Sequence, residues 1–187
     1  MGYGGSCFPK DVKALIDTSR QYKFEPELLA AVDEVNKRQK HTLAKKIDAY
    51  FEPQGGVKGK TLALWGLAFK ANTDDVREAS SFELIKDLTA KGMKIVAFDP
   101  VAGPNTREAF KGNDLLTVVD EQYAALEKAD CLAVVTEWNQ FRNPDFGRIK
   151  KMLKAPLIFD GRNLYSPQLL ADLGMVYFCI GRPAPKV

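Results

Sequence analysis

Histidine and cysteine are scarce in this sequence of 187 residues, which contains one histidine and three cysteines. With His41 as the only histidine, serine–histidine chemistry has no support, and no group of Cys, His, Asp and Glu has the spacing of a zinc site. We therefore predict no bound metal. The cysteines, Cys7, Cys131 and Cys179, are too few and too widely spaced for a disulfide framework, which predicts a reducing, cytoplasmic location.

The sequence also lacks long apolar runs and a strong net charge. No run of about 18 apolar residues could cross a bilayer, and the N-terminus has no signal-peptide pattern, so no membrane partner is predicted. The 27 basic and 24 acidic residues leave a net charge of +3, which is too small to predict a nucleic-acid partner. A hydrophobic fraction of 45% is instead typical of a domain with a packed core.

Two helical units are predicted in the first 52 residues. A glycine-rich loop at residues 2–7 leads into Pro9, which suits the first turn of a short helix, so residues 1–24 form one unit. Residues 25–52 carry apolar side chains at helical spacing and predict one long central helix, roughly 37 Å from Pro26 to Tyr50. Because so specialised a loop usually lies between structural elements, we expect that a preceding domain is missing.

Residues 57–187 alternate apolar segments with helical patterns. This alternation predicts an α/β fold, with a Rossmann-like, mostly parallel sheet and helices on both faces. Residues 80–83 have the pattern of a capping box, and Ser166, Pro167 and Gly174 mark the two ends of a last helix. The predicted strands are 61–65, 94–98, 116–119, 131–135, 157–159 and 176–180.

Cationic side chains follow two of the predicted strands. In an open parallel sheet, ligands bind outside the carboxyl ends of the strands. Lys70 and Arg77 follow the first strand and Arg162 follows a later one, whereas the G-x-G-x-x-G spacing of a dinucleotide loop is missing. The pattern suggests a diphosphate ligand other than a dinucleotide. The alternative is that these cations are solvated and bind no ligand. Asp99, before Pro100, could contact a ribose or form a turn.

Cys7 is the sharpest candidate for a reactive side chain. It precedes a predicted helix, whose N-terminal partial charge stabilises a thiolate, and Lys10 adds positive charge nearby. Asp11 follows one helical turn later and could orient a water molecule or assist proton transfer. The alternative is a small buried hydrophobic side chain, which we favour for Cys131 and Cys179 inside predicted strands.

Several motifs resemble, in the same order, those of the UDP-glucose/GDP-mannose dehydrogenase family, and among its members those of the UDP-glucose dehydrogenases. The first is the catalytic cysteine motif, Gly-Gly-Ser-Cys-Phe-Pro-Lys-Asp, at residues 4–11. The likeness spans essentially the whole chain. It implies the C-terminal part of such an enzyme, without the N-terminal NAD-binding domain. The other motifs lie at residues 66–70, 73–78, 98–100, 136–138 and 159–162.

The resemblance also implies a reaction and the residues that serve it. NAD takes a hydride from UDP-glucose, Cys7 binds the resulting aldehyde as a thiohemiacetal, a second NAD oxidises this to a thioester, and water releases UDP-glucuronate. Residues 57–187 would bind the UDP-sugar. By position, the catalytic residues are Cys7, Asp11 and Lys10, the substrate-binding residues are Tyr3, Gly4, Gly5, Phe69, Lys70 and Arg162, and the cofactor-binding residue is Arg77.

Further implications concern partners and activity. The central helix, including Asn36, resembles the segment that builds the family's homodimer. NAD would be bound mainly by the missing N-terminal domain, so the chain alone is predicted to be inactive. Two alternatives remain open at this point: a GDP-mannose or UDP-N-acetyl-sugar dehydrogenase, and a non-catalytic, flavodoxin-like nucleotide-binding domain.

Overall fold

Six short apolar segments form one sheet in the computed structural model, which describes residues 1–183. All neighbouring strands are parallel, which confirms the predicted fold class. Each predicted strand is present within one residue of its expected ends. Residues 184–187, the end of the predicted sheet domain, lie outside the described residues. The strands are β1 (Thr61–Trp65), β2 (Lys94–Phe98), β3 (Leu116–Val118), β4 (Cys131–Val134), β5 (Leu157–Asp160) and β6 (Val176–Cys179).

The strand order is β3-β2-β1-β4-β5-β6, so the chain starts at the centre of the sheet and winds outwards in both directions. Trp65, at the end of β1, pairs with Phe98 on one side and with Val134 on the other. The carboxyl ends of β1, β2 and β4 are therefore level with one another. The loops that follow these strands meet at one edge, which is where ligands bind in this topology.

Three helices precede the sheet: α1 (Phe8–Gln21), α2 (Glu27–Lys40) and α3 (Thr42–Phe51). The prediction of one uninterrupted helix over residues 26–50 is therefore wrong at His41. There the backbone amide donates to the carbonyl of Arg38 at 3.2 Å, as in a tighter helical turn. The His41 ring nitrogen Nδ1 lies 2.6 Å from the carboxylate of Asp87, 46 residues away, so a tertiary contact accompanies the break.

The third helix belongs to the core of the sheet domain. Leu43, Ile47 and Phe51 are buried in one hydrophobic cluster with Leu62 and Leu64 of β1. Residues 42–51 thus share a core with the sheet, although the sequence placed them in a separate central helix. The division of the chain at residues 25, 52 and 57 otherwise stays a prediction.

Helices cover both faces of the sheet, as predicted. Leu62 and Leu64 of β1 point into one core cluster, whereas Ala63 and Trp65 point into a second cluster that includes Phe141. Among residues 1–183, no helix is both long enough and apolar enough to cross a membrane. The remaining elements are α4 (Ser80–Thr89), α5 (Gly103–Ala109), α6 (Asn139–Arg142), α7 (Phe146–Met152), α8 (Pro167–Asp172) and short 3-10 helices at Glu52–Gln54 and Tyr123–Leu126.

Of two predicted helix N-caps, one is confirmed and the other is wrong. The Ser166 hydroxyl accepts a backbone N–H in the first turn of α8, which confirms the predicted N-cap. The capping box at residues 80–83 is wrong, because Ala79 is the N-cap of α4 and makes no side-chain cap. The hydroxyl groups of Ser80 and Ser81 donate instead to backbone carbonyls outside the helix.

Candidate active site

Arg162 connects three of the loops at the carboxyl edge of the sheet. Its Nε donates to the carbonyl of Val135 at 2.9 Å, and its Nη2 donates to the carbonyl of Phe69 at 2.6 Å. The carboxylate of Glu137 lies 3.1 Å from Nε and neutralises the guanidinium. The Nε–Nη2 side of the guanidinium therefore faces protein atoms. Arg162 holds the loops together, and this side of its guanidinium is not available to a diphosphate.

Lys70 lies next to this junction and is exposed. Its ammonium lies 5.4 Å from the ring centroid of Phe69, within cation–π range. Within residues 1–183, no carboxylate forms an ion pair with Lys70. Because the Phe69 carbonyl accepts a hydrogen bond from Arg162, the structure brings Lys70 and Arg162, the two cations predicted to bind the substrate, to the same edge. Of the two, Lys70 is the better placed to meet a phosphate group.

The glycine loop before Cys7 packs directly onto this edge. The amide of Gly5 donates to the carbonyl of Arg77 at 2.8 Å, and Gly5 has a left-handed backbone with φ of +87°. A Cβ atom at Gly5 would lie 2.8 Å from the Phe69 ring, and one at Gly4 would lie 2.4 Å from the carbonyl oxygen of Glu78. Both positions therefore require glycine, because any side chain would push the loop away from Phe69 and Lys70.

Cys7 is exposed and immediately precedes α1. Its carbonyl accepts the amide of Asp11 at 2.9 Å, so the residue lies at the helix start as predicted. The Ser6 hydroxyl lies 3.6 Å from its sulfur. Cys131 and Cys179 are buried, and burial raises the pKa of the Cys131 thiol. The interpretation as a small buried hydrophobic side chain is therefore correct for Cys131 and Cys179 and wrong for Cys7.

The charged side chains around Cys7 pair mostly with their own neighbours. The Lys10 ammonium lies 3.4 Å from the Asp11 carboxylate, and both side chains are largely exposed on α1. Arg77 donates through Nε and Nη2 to the carboxylate of Asp75, at 2.9 and 2.7 Å, and these bonds lower the pKa of Asp75. Their assigned roles, in catalysis for Lys10 and Asp11 and in cofactor binding for Arg77, stay predictions.

Tyr3 is held by its backbone rather than by its side chain. The Asn36 side chain accepts the Tyr3 amide at 2.7 Å and donates to the Tyr3 carbonyl at 3.1 Å. The Tyr3 ring packs edge-on against Phe8, with 4.9 Å between centroids. Its hydroxyl is buried without a hydrogen-bond partner in the described chain, and burial raises the pKa of Tyr3. Its contact with the sugar stays a prediction.

Two family models match the chain and together cover its functional parts. The model described as the UDP-glucose/GDP-mannose dehydrogenase family, UDP binding domain, matches residues 63–167. The model of the central domain of the same family matches residues 1–38. The chain belongs to the UDP-glucose/GDP-mannose dehydrogenase family. This confirms the family that the motifs indicated.

Individual members of the family cover most of the chain. A UDP-glucose 6-dehydrogenase of Pseudomonas aeruginosa is 48% identical over 185 residues, which are 97% of this chain and 40% of that protein. A solved UDP-glucose dehydrogenase of Pyrobaculum islandicum is 30% identical, with a TM-score of 0.76 over 89% of this chain and 36% of that one. An NDP-N-acetyl-D-galactosaminuronic acid dehydrogenase of Methanosarcina mazei is 25% identical, with a TM-score of 0.81 over 97% and 38%. This chain thus spans about two fifths of its relatives' length.

The carboxylate of Asp99 fills the backbone amides of the first strand-to-helix loop. One carboxylate oxygen accepts the amides of Leu67 and Ala68, directly after β1, together with the indole N–H of Trp138. The other oxygen accepts two amides of its own turn. In a dinucleotide-binding loop these post-strand amides receive a pyrophosphate. Here a buried carboxylate of the protein occupies them, so the turn-forming alternative for Asp99 is favoured over the ribose contact.

Several residues of this family site were not singled out from the sequence. Glu137 neutralises Arg162, and Asn36 holds Tyr3, although Asn36 was noted only as part of the dimer segment. Glu78 binds the ammonium groups of two lysines. Glu78 and Glu137 lie within the quoted motifs, which was a usable signal, but their partners lie far away in sequence. Among residues 1–183, no cluster of side chains could hold a metal ion.

Proposed function

We propose that this chain is the part of an NAD-dependent UDP-glucose 6-dehydrogenase that binds the UDP-sugar and supplies the cysteine nucleophile. One observation carries the proposal. The glycine loop that ends at the exposed Cys7 packs onto Phe69. Phe69 lies beside Lys70, which has no ion-pair partner among residues 1–183, at the carboxyl edge of the sheet. A UDP-sugar with its diphosphate at Lys70 would extend its sugar along this loop towards the thiol.

The proposed chemistry assigns covalent catalysis to Cys7. Its thiolate adds to the C6 aldehyde as a thiohemiacetal, and the oxidised thioester is hydrolysed by a water molecule that Asp11 helps to orient. NAD, when bound, supplies the acceptor for the hydrides that leave C6. Because Asp99 fills the amides of the β1 loop, this chain offers no pyrophosphate cradle there, and we assign most NAD contacts to the part of the full-length protein that this chain does not span.

The geometry of the candidate site favours a nucleotide-sugar dehydrogenase over a flavodoxin-like binding domain. A flavodoxin-like binding domain gives no role to a cysteine loop packed on the ligand edge, whereas a nucleotide-sugar dehydrogenase requires one. The relative from Methanosarcina mazei keeps an N-acetyl-sugar dehydrogenase as the second candidate. Calorimetric titration of this chain with UDP-glucose, UDP-N-acetylglucosamine and GDP-mannose distinguishes them, because the proposal predicts the tightest binding for UDP-glucose. Tighter binding of either of the other two would overturn the UDP-glucose assignment.

The isolated chain is not expected to oxidise UDP-glucose. Without most of the NAD contacts, Cys7 has no hydride acceptor beside it, so UDP-glucose and NAD should yield no NADH above the protein-free control. Binding of UDP-glucose should still be measurable, although weaker than in a full-length relative because part of the ligand's surroundings is absent. Steady NADH production by the purified chain would contradict this prediction.

A homodimer is part of the proposal. The first two helices expose large apolar side chains, among them Leu15, Leu28 and Val35, the last two on α2. We expect the chain to sediment at twice its mass of 20.8 kDa. The double variant Leu28→Lys/Val35→Lys should sediment as a monomer, because a desolvated lysine opposes association. Leu173→Lys, at a less exposed apolar site just beyond α8, is the control that should stay dimeric. A monomeric wild type would refute the assembly.

A cytoplasmic location is also part of the proposal. All three cysteines are free thiols in the structure, which suits a reducing compartment such as the cytoplasm. Fractionation of the source cells, with detection of the chain in the soluble or the envelope fraction, tests this assignment.

A further inference from the structure

Glu78 lies where the cysteine loop, the first two helices and the sheet domain meet. Its backbone is left-handed, with φ of +53°, a conformation that a residue with a side chain rarely adopts. Such a conformation persists only where the surrounding contacts determine it, and it is enriched at functional sites.

The side chain of Glu78 binds one lysine from each of two helices. Lys13 of α1 donates to Oε1 at 2.8 Å, and Lys40 of α2 donates to Oε2 at 2.6 Å. These hydrogen bonds lower the pKa of Glu78 to about 2, and the bond from Lys13 has the largest effect. The Lys40 side chain is only 6% exposed, so its charge depends on this carboxylate for compensation.

The backbone beside Glu78 holds the loop that ends at Cys7. The carbonyl of Arg77 accepts the amide of Gly5, and the Glu78 carbonyl lies against Gly4. Two residues further along, the Ser80 hydroxyl donates to the carbonyl of Gly2 at 3.2 Å. The segment 77–80 is therefore a platform under residues 2–5, and the two lysine bonds fix the helices on either side of it.

We infer that Glu78 is a positioning residue that clamps α1, and with it Cys7, against the Phe69–Lys70 edge of the sheet domain. The inference rests on the proposed function, because it assigns the clamp to the nucleophile of that reaction. Glu78 does not itself touch the nucleotide edge, which is formed by Phe69, Lys70 and Arg162. Loss of the clamp should therefore loosen the cysteine loop and leave the binding of the nucleotide intact.

The test compares Glu78→Gln with Glu83→Gln in the full chain. Glu83 is a matched control, since it also bonds a lysine, Lys86, but within one helix. Amide exchange followed by NMR should be roughly tenfold faster at Gly5 in Glu78→Gln, with the amides of β1 and β4 unchanged. In Glu83→Gln the amide exchange rate of Gly5 should stay within about twofold of the wild-type rate. Equal acceleration of loop and sheet amides would mean general destabilisation and would overturn the inference.

A second readout separates positioning from mere structural support. UDP should bind Glu78→Gln with wild-type affinity, while UDP-glucose should no longer protect Cys7 from iodoacetamide as it protects wild type. Protection equal to wild type would also overturn the inference. If wild type itself binds neither ligand, the proposed function fails, whereas the exchange rate of Gly5 still decides whether the clamp exists.

Lys13→Met keeps the test decisive if Glu78→Gln does not fold. Lys13 is about half exposed, so removing it leaves the buried Lys40 compensated by Glu78 and should preserve the fold. Only the link to α1 is lost, and Gly5 exchange should rise by roughly twofold to fivefold, as for the loss of a partly exposed ion pair. Gly5 rates equal to wild type in Lys13→Met would refute a clamp on α1.

Discussion

Lys70→Ala should weaken the binding of UDP-glucose to this chain by about tenfold to a hundredfold, which corresponds to the roughly 1.5–3 kcal/mol of a hydrogen bond to a charged group. Lys70 is exposed, forms no ion pair within the described residues and lies beside Phe69 at the ligand edge. In the proposed complex, the diphosphate of UDP-glucose pairs with this ammonium. Calorimetric titration of UDP-glucose into both proteins measures the difference.

A matched variant separates a specific contact from a general loss of positive charge. Lys58 is also exposed, but it precedes β1 and so lies at the amino edge of the sheet. Lys58→Ala removes the same charge and should leave the affinity within about twofold, because screening weakens distant surface charges. Equal losses in the two variants, or none in Lys70→Ala, would mean that the diphosphate does not bind at Lys70.

Asp99→Ala should lower the free energy of unfolding by about 3–5 kcal/mol, one of the largest losses expected from a single substitution here. The Asp99 carboxylate is buried and accepts four backbone amides and the Trp138 indole. Removing it leaves these donors without a partner at the centre of the sheet edge, and each unsatisfied donor costs stability. Urea unfolding, followed by circular dichroism, measures the change.

The control for this variant is Asp120→Ala. Asp120 follows β3, is 88% exposed and pairs with Arg107, so its loss should change stability by no more than about 0.5 kcal/mol. If Asp99→Ala were as stable as Asp120→Ala, the carboxylate would not organise the β1 loop. The loop amides would then be available to an anion such as a pyrophosphate.

The parts of the fold that depend on local pattern could be predicted from the sequence. Apolar runs bounded by turns gave every strand to within one residue, and Ser166 with Pro167 marked the start of α8. The exposed position of Cys7 at a helix start also followed from the glycine loop and Pro9 beside it. In each of these cases the determining residues lie within a few positions of one another.

The features that were mispredicted depend on partners distant in sequence. Ser80 has the chemistry of a cap, but a carbonyl 78 residues away competes for its hydroxyl. The helical pattern breaks at His41, whose ring contacts Asp87, 46 residues away. The substrate contact of Arg162 stays a prediction, but its bonds to the carbonyls of Val135 and Phe69 also join distant parts of the sequence. Without the fold, residue type and spacing cannot rank these competing partners.

If Cys7 and the UDP-sugar occupy one site, as proposed, the bound sugar should control the reactivity of this thiol. The measurement is the rate of Cys7 alkylation by iodoacetamide, located by mass spectrometry, with saturating UDP-glucose, with UDP and without ligand. Saturating UDP-glucose should slow alkylation roughly tenfold by covering the thiol, and UDP, which lacks the sugar, should slow it much less. An alkylation rate that UDP-glucose leaves unchanged, while calorimetry shows the sugar nucleotide bound, would contradict the account.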